Sequence, residues 1–229
     1  MNQLINTTDY SPLVLILAAL GAIGWIVAYF ITIHNIRKHQ FVEMPVFCVC
    51  GDIAWEFLWG FVFHDRINMG QLYVWSYRAW FLIDVYIFVS VMRYGYKQID
   101  LPLLRRNAKP IFVGLTLTSA AIVSAFVQTE LDNPMGAQTS YLLNFLISST
   151  YIFNWLRLHK TQPFSKWVAW MKMLGTLMYS IFFLIQFPKD YAVTVLSSAV
   201  LILDLIYIWM IYCYKADEGE NTVIVHANA

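Results

Sequence analysis

Seven stretches of about twenty apolar residues, parted by short polar loops, run through this 229-residue chain and leave it few folds to choose from. A helix advances only ~1.5 Å per residue, so about 20 apolar residues are needed to cross the hydrocarbon core of a bilayer. The stretches lie near residues 12–33, 45–64, 77–94, 110–128, 138–158, 167–187 and 191–214. Proline opens the second and fourth, where its missing N–H would be unpaired anyway, and Pro188 stops the sixth. The reading is an all-α, polytopic seven-transmembrane-helix bundle. It forms one domain over residues 1–214, followed by a short tail, 215–229, to which no function is assigned. Composition agrees: 59% of residues are hydrophobic and 13% charged, too little polar surface to coat a water-soluble core.

Orientation follows from the loop cations. Arg37, Lys38, Arg93, Lys97, Arg105, Arg106, Lys109, Arg157, Lys160, Lys166, Lys172 and Lys215 fall on one side. Only Arg66, Arg78 and Lys189 fall on the other. The expectation is an N-terminus outside or lumenal, and a cytoplasmic C-terminus. The membrane would be the endoplasmic reticulum in a eukaryote and the inner membrane in a bacterium. Residues 1–9 carry no Lys or Arg, so the first stretch reads as a retained span rather than a cleaved signal. A net charge of +1, spread over loops, excludes a nucleic-acid partner. Cys48, Cys50 and Cys213 cannot build a disulfide framework. Cys48 and Cys50, two apart, point to different sides of a helix and read as small packing residues.

Four acids fall inside the apolar stretches: Asp52, Glu56, Asp84 and Asp204. An Asp at the centre of a spanning helix costs roughly 2.5–3.5 kcal/mol on insertion scales, so such residues face the bundle interior and carry function by default. Counted from the cytoplasmic ends, Glu56 lies roughly 16 Å deep, and Asp84 and Asp204 roughly 12–15 Å. Asp52 is one turn below Glu56. Three helices thus bring carboxylates to nearly one plane, with no Lys or Arg expected at that depth. Several carboxylates in a low-dielectric cluster cannot all ionise, so the cluster retains at least one proton and titrates as a unit. A protonated acid in a dry pocket is a proton donor. The plainer alternative for each acid is a hydrogen bond to a neighbouring helix, and it weighs most for Asp52 and Asp84.

Helical spacing puts Asp52, Glu56, Trp59, Gly60 and Phe63 on one face of the second stretch, and Tyr207 beside Asp204 on the seventh. Trp80 stands beside Asp84, and Asn144, Ser148, Tyr151 and Trp155 form a stripe on the fifth. The implied pocket holds acids against Trp55, Trp59, Trp80 and Tyr207, whose rings can stabilise a cation, with Asn144 and Tyr151 opposite. Trp25, Trp75, Trp167 and Trp170 read instead as packing or interface-belt residues. His64, Asp65, His34 and His39 read as ordinary interface residues.

Several chemistries are unsupported. The seventh stretch has no lysine for a retinal Schiff base, and no P-loop, HExxH or GxSxG motif occurs. No Asp-rich run of the DDxxD or DxDD type occurs either, so no cofactor is expected and no metal-ligand set is assigned. Two segments, however, carry a likeness. Gly51-Asp52-Ile53-Ala54-Trp55-Glu56-Phe57 and Leu203-Asp204-Leu205-Ile206-Tyr207 resemble the membrane-integral terpene cyclases of fungal meroterpenoid and indole-diterpene pathways, and their bacterial relatives. The likeness extends over the whole chain in length and helix count. It implies a proton-initiated, metal-independent cyclisation of a prenylated substrate, epoxidised or not, with Glu56 and Asp204 as the essential acid pair. In that family an asparagine commonly stands where this chain has Asp52.

Two other classes compete with this reading. A small proton-coupled transporter would also show intramembrane acids, and the similar segments 82–88 and 203–209 hint at an internal repeat of helix triplets. Against it, no stretch is broken by central Pro or Gly pairs. A receptor or scaffold leaves the acids unexplained. The partners expected are a hydrophobic prenylated small molecule and the lipid bilayer.

Overall fold

The structure, a computed structural model, describes residues 3–227, with side chains described over 3–214. The expected tail at 215–229 therefore lies outside the residues whose side chains are described. In chain order the helices are α1 (Pro12–His39), α2 (Val46–Phe57), α3 (Gln71–Tyr94), α4 (Pro102–Arg106), α5 (Ala108–Gln128), α6 (Ala137–Leu158), α7 (Lys166–Gln186) and α8 (Tyr191–Ala227). A π-helical turn, Leu58–Val62, prolongs α2. No strand occurs among the described residues.

Local chemistry sets the helix ends. The Ser11 hydroxyl accepts from Val14 N with Pro12 at the first helical position, and Ser165 accepts from Val168 N in the same way at α7. α1 runs on past its apolar stretch to His39, where Gln40 turns left-handed (φ 51°) and its N–H returns to the Ile36 carbonyl. α3 starts at Gln71, before the apolar stretch. Gly70, at φ 104°, makes the turn there, and a Cβ would lie 2.7 Å from the Leu4 carbonyl oxygen.

Seven of the helices, all but the short α4, run between two ends. At one end the 3–11, 63–70, 129–136 and 187–190 segments are tied together. Asn6 N donates to Met69 O, and Gln138 bridges to Asp190. At the other end Gln98 binds the 40–45 connection, donating to Val42 O and Met44 O and accepting from Val46 N and Asn154. Inside the bundle α1 packs along α7, α7 on α8, and α8 on α6, while α2 lies among α3, α5 and α6. The α1–α7 seam is tight because it is made of glycines. A Cβ on Gly24 would sit 2.7 Å from Gly175 Cα, and one on Gly175 would meet Trp25 at 2.8 Å.

Five helices are long and apolar enough to cross a membrane: α1, α3, α5, α7 and α8 up to Tyr214. The other two expected stretches are helical where they were read but do not meet that measure, each for its own reason. α2 is only 12 residues long before the π turn interrupts it. α6 has 22 residues but carries Ser140, Asn144, Ser148, Ser149, Thr150 and Asn154. α2 is the most buried of the helices, with nine of its 12 residues buried. The two cysteines of α2 point apart as expected: Cys48 meets Thr150 of α6, and Cys50 lies toward Thr116 of α5.

Candidate active site

α2 carries two carboxylates one turn apart, and the rest of the site is arranged around them. Asp52 and Glu56 both open into a cleft enclosing about 740 Å³ of unfilled space, counted out to its mouth. Its walls are aromatic: Trp25 and Tyr29 from α1, Trp55 from α2, Tyr77 and Trp80 from α3, and Tyr141, Tyr179 and Phe183 from α6 and α7. Ser140 and Asn144 add polar points on the α6 side. The rings support one another edge to face. Trp55 and Tyr77 centroids are 5.2 Å apart at 84°, and Tyr141 and Phe183 are 5.8 Å apart at 85°.

The Tyr29 hydroxyl donates to Asp52 Oδ2 at 2.8 Å and also neighbours Asp84, which is 1% exposed and stands behind the lining. Tyr29, Asp52, Glu56 and Asp84 therefore form one buried group from three helices. No ion pair among the described residues reaches its three acids. Glu56 Oε2, Asp84 Oδ2, Trp80 Nε1 and Asn144 Oδ1 are buried without a hydrogen-bond partner. Such atoms are rare in folded proteins.

Immediately beyond Glu56 the helix widens. Phe63 N donates to Leu58 O at 2.7 Å, a bond five residues long, and Arg78 Nε caps the Gly60 carbonyl at 2.9 Å. π turns of this kind recur at functional sites. Behind the wall, Trp55 Nε1 donates to the Thr139 hydroxyl at 2.8 Å, and that hydroxyl donates to Asp132. Asp132 is in the α5–α6 connection, where burial lifts its carboxyl above the usual range against the hydrogen bonds it accepts.

A second buried group lies apart from the cleft lining. Lys172 of α7, 3% exposed, donates to Asp204 of α8 at 2.5 Å and to the Ser148 hydroxyl of α6 at 2.7 Å. This corrects two expectations. Lys172 is no loop cation, and an acid at this depth does have a counter-charge. With Lys172 removed from the loop count the cation bias is eleven to three, so the asymmetry persists. Tyr151 and Tyr207 belong to this group, with ring centroids 5.3 Å apart. Among the described residues, no three of His, Cys, Asp or Glu converge as a metal-ligand set.

The model of a family described as Pyr4-like transmembrane terpene cyclases matches residues 5–217, nearly the whole chain. The chain belongs to this family. Curated relatives agree. The Pyr4-family terpene cyclase mfmH of Annulohypoxylon moriforme is 26% identical over 175 residues, covering 74% of this chain and 70% of that one. The terpene cyclase macJ of Penicillium terrestre is 27% identical, covering 69% and 62%. The terpene cyclase ascF of Acremonium egyptiacum is 24% identical over 226 residues, covering 87% and 81%. No solved structure matches the chain.

The cyclase thus brings together some of the residues expected from its sequence and separates others. Asp52, Glu56, Trp55, Trp80 and Asn144 line the cleft, and Asp84 backs it. Trp59 is fully buried behind Trp55, with centroids 6.0 Å apart. Asp204, Tyr151 and Tyr207 belong to the Lys172 group instead. Trp25, expected as a packing or belt residue, lines the cleft, whereas Trp75 and Trp167 face outward. Tyr77, on the Asp84 face by helical spacing, lines the cleft as well, whereas Tyr29, Tyr141, Tyr179, Phe183 and Met135 were not foreseen. Tyr29 had a findable signal: it shares a helical face with Trp25, four residues earlier.

Proposed function

We propose that the cyclase folds a prenylated substrate into its aromatic cleft and starts ring closure by protonation from Glu56, without a metal. The observation that carries this is the opening of Asp52 and Glu56 into an aromatic cavity with no cation paired to them. Three neighbouring acids in an apolar surrounding cannot all be charged, so the group holds a proton. Glu56 gives it to the terminal alkene carbon, or to the oxygen of an epoxide there. The next double bond attacks the resulting cation to form each C–C bond. The last cation gives up a proton to this same acid group, now one proton short, which closes the balance and makes the reaction an isomerisation. Tyr29, Asp52 and Asp84 return the proton to Glu56. Tryptophan and tyrosine faces stabilise the travelling charge, and the close walls keep out water that would quench it.

In this reading Asp204 is a positioning residue. Its pair with Lys172 fixes Ser148, whose hydroxyl bonds the Asn144 carbonyl at 3.0 Å, and so holds the α6 wall. The topology proposed is seven crossings, with the N-terminus lumenal and residues 215–229 cytoplasmic, in the endoplasmic reticulum as suits a relative of fungal enzymes. A greasy substrate then enters from the bilayer. Family membership favours cyclisation over transport.

The test is Glu56→Gln in membranes supplied with a panel of prenylated aromatics, products being followed by mass spectrometry and NMR. Cyclised product should vanish while the thermal midpoint stays at the wild-type value. Wild-type turnover by this variant would remove Glu56 from the acid's role.

A further inference from the structure

Among the described residues lining the cleft, all but one stand on helices; the exception is Met135, from the connection between α5 and α6. Its backbone is held on both sides. The Asn133 side chain accepts from Met135 N at 2.9 Å, and the Tyr77 hydroxyl donates to Met135 O at 3.3 Å. Gly136 follows at φ 70°, where a Cβ would lie 2.5 Å from the Trp59 indole and 2.8 Å from that of Trp55. Only glycine lets the peptide settle this close to both indoles. The side chain is 2% exposed. Its sulfur lies 3.7 Å from the Tyr10 hydroxyl, which itself donates to Asn68. Beyond it the space is filled by a packed apolar cluster that includes Tyr10, Met69 and Phe182.

We propose that Met135 is the end stop of the cleft and determines how long a prenyl chain the cyclase accepts. This rests on reading the cleft as the substrate site. Three physical features support it. The residue comes from the 129–136 connection at the tied end of the bundle, so it bounds the cleft on that side, and a prenyl chain folded into the cleft meets it there. Its anchors are directional and its backing is dense, so the stop does not yield as a mobile loop would. Its own side chain is unbranched, so replacing it changes the depth of the cleft more than the course of the backbone.

A methylene gained or lost in an apolar pocket changes discrimination by about 10- to 200-fold. Met135→Ala and Met135→Val should therefore move the preferred substrate one step up the series geranyl, farnesyl and geranylgeranyl phenol. Met135→Phe should move it down. The ratio of rates between adjacent members should change by about tenfold or more. Binding is read in parallel by quenching of tryptophan fluorescence, since Trp25, Trp55 and Trp80 line the cleft. Quenching decides the matter even if the wild type turns over none of these phenols: absent turnover with a length preference that still shifts in quenching counts against the acid and not against the end stop. An unchanged length preference in both turnover and quenching, in variants with the wild-type thermal midpoint, would overturn the end stop. Should Phe not be accommodated, the graded pair Ala and Val suffices.

Discussion

A lysine inside an apolar helix is tolerated only with a counter-charge in reach, and Lys172 has Asp204 at 2.5 Å and Ser148 at 2.7 Å. The second carboxylate oxygen, Asp204 Oδ2, has no partner, so the pair is incompletely satisfied as well as buried. Breaking such a pair from one side costs about 3–5 kcal/mol, whereas replacing both members by apolar residues is often neutral. Lys172→Met alone should therefore lower the thermal midpoint in detergent sharply. Adding Asp204→Leu should restore most of it, and a double-mutant cycle gives the coupling. Additive losses would show that the two side chains do not act together. Lys172 was hard to read from sequence because it follows Lys166 by only six residues, in the first turns of an apolar stretch. A cation so near a helix start looks like part of the preceding loop. Asp52 and Glu56 were legible because four-residue spacing fixes their common face whatever surrounds the helix.

At the scale of elements, hydrophobic length was enough to locate α1, α3, α5, α6, α7 and α8. It was blind to the π turn, because Leu58-Trp59-Gly60-Phe61-Val62 is apolar on every side and its period carries no mark of an extra residue in the turn. Nor could it say which helices meet, since that is decided where side chains are missing. The α1–α7 seam depends on Gly24 and Gly175, while Gly114, in α5, has nothing within 4 Å of a would-be Cβ. Gly24→Val should therefore push the two helices apart and abolish the stable bundle, seen as loss of a monodisperse peak in detergent. Gly114→Ala, in open space, should stabilise by about 0.5–1 kcal/mol through helix propensity alone. If both changes act alike, the seam is not what holds α1 to α7.

Across the whole molecule, the end opposite the N-terminal segment is closed by a buried connection, residues 41–45, in which Glu43 is 2% exposed. Its Oε2 accepts from Ser165 N at 2.8 Å at the start of α7. Asn35 of α1 supports it, and Tyr151 and Tyr207 stand near from α6 and α8. Burial lifts its carboxyl from 4.5 to about 7, with the Ser165 amide and Asn35 pulling the other way. The folded chain therefore holds this proton more tightly than the unfolded chain does. Stability should fall as pH climbs from about 4.5 to about 7 and level off above, by on the order of 3 kcal/mol. Glu43→Gln should flatten this slope in thermal midpoints measured from pH 5 to pH 8; a slope unchanged by the substitution would assign it to other groups. A different consequence follows from the placement of Asp52 and Glu56 on successive turns of a single rod. Thickening or thinning of the surrounding lipid tilts helices against one another and alters every distance measured between them. The spacing of these two acids is set by helical pitch alone, so the proton's starting geometry travels intact from one bilayer composition to the next.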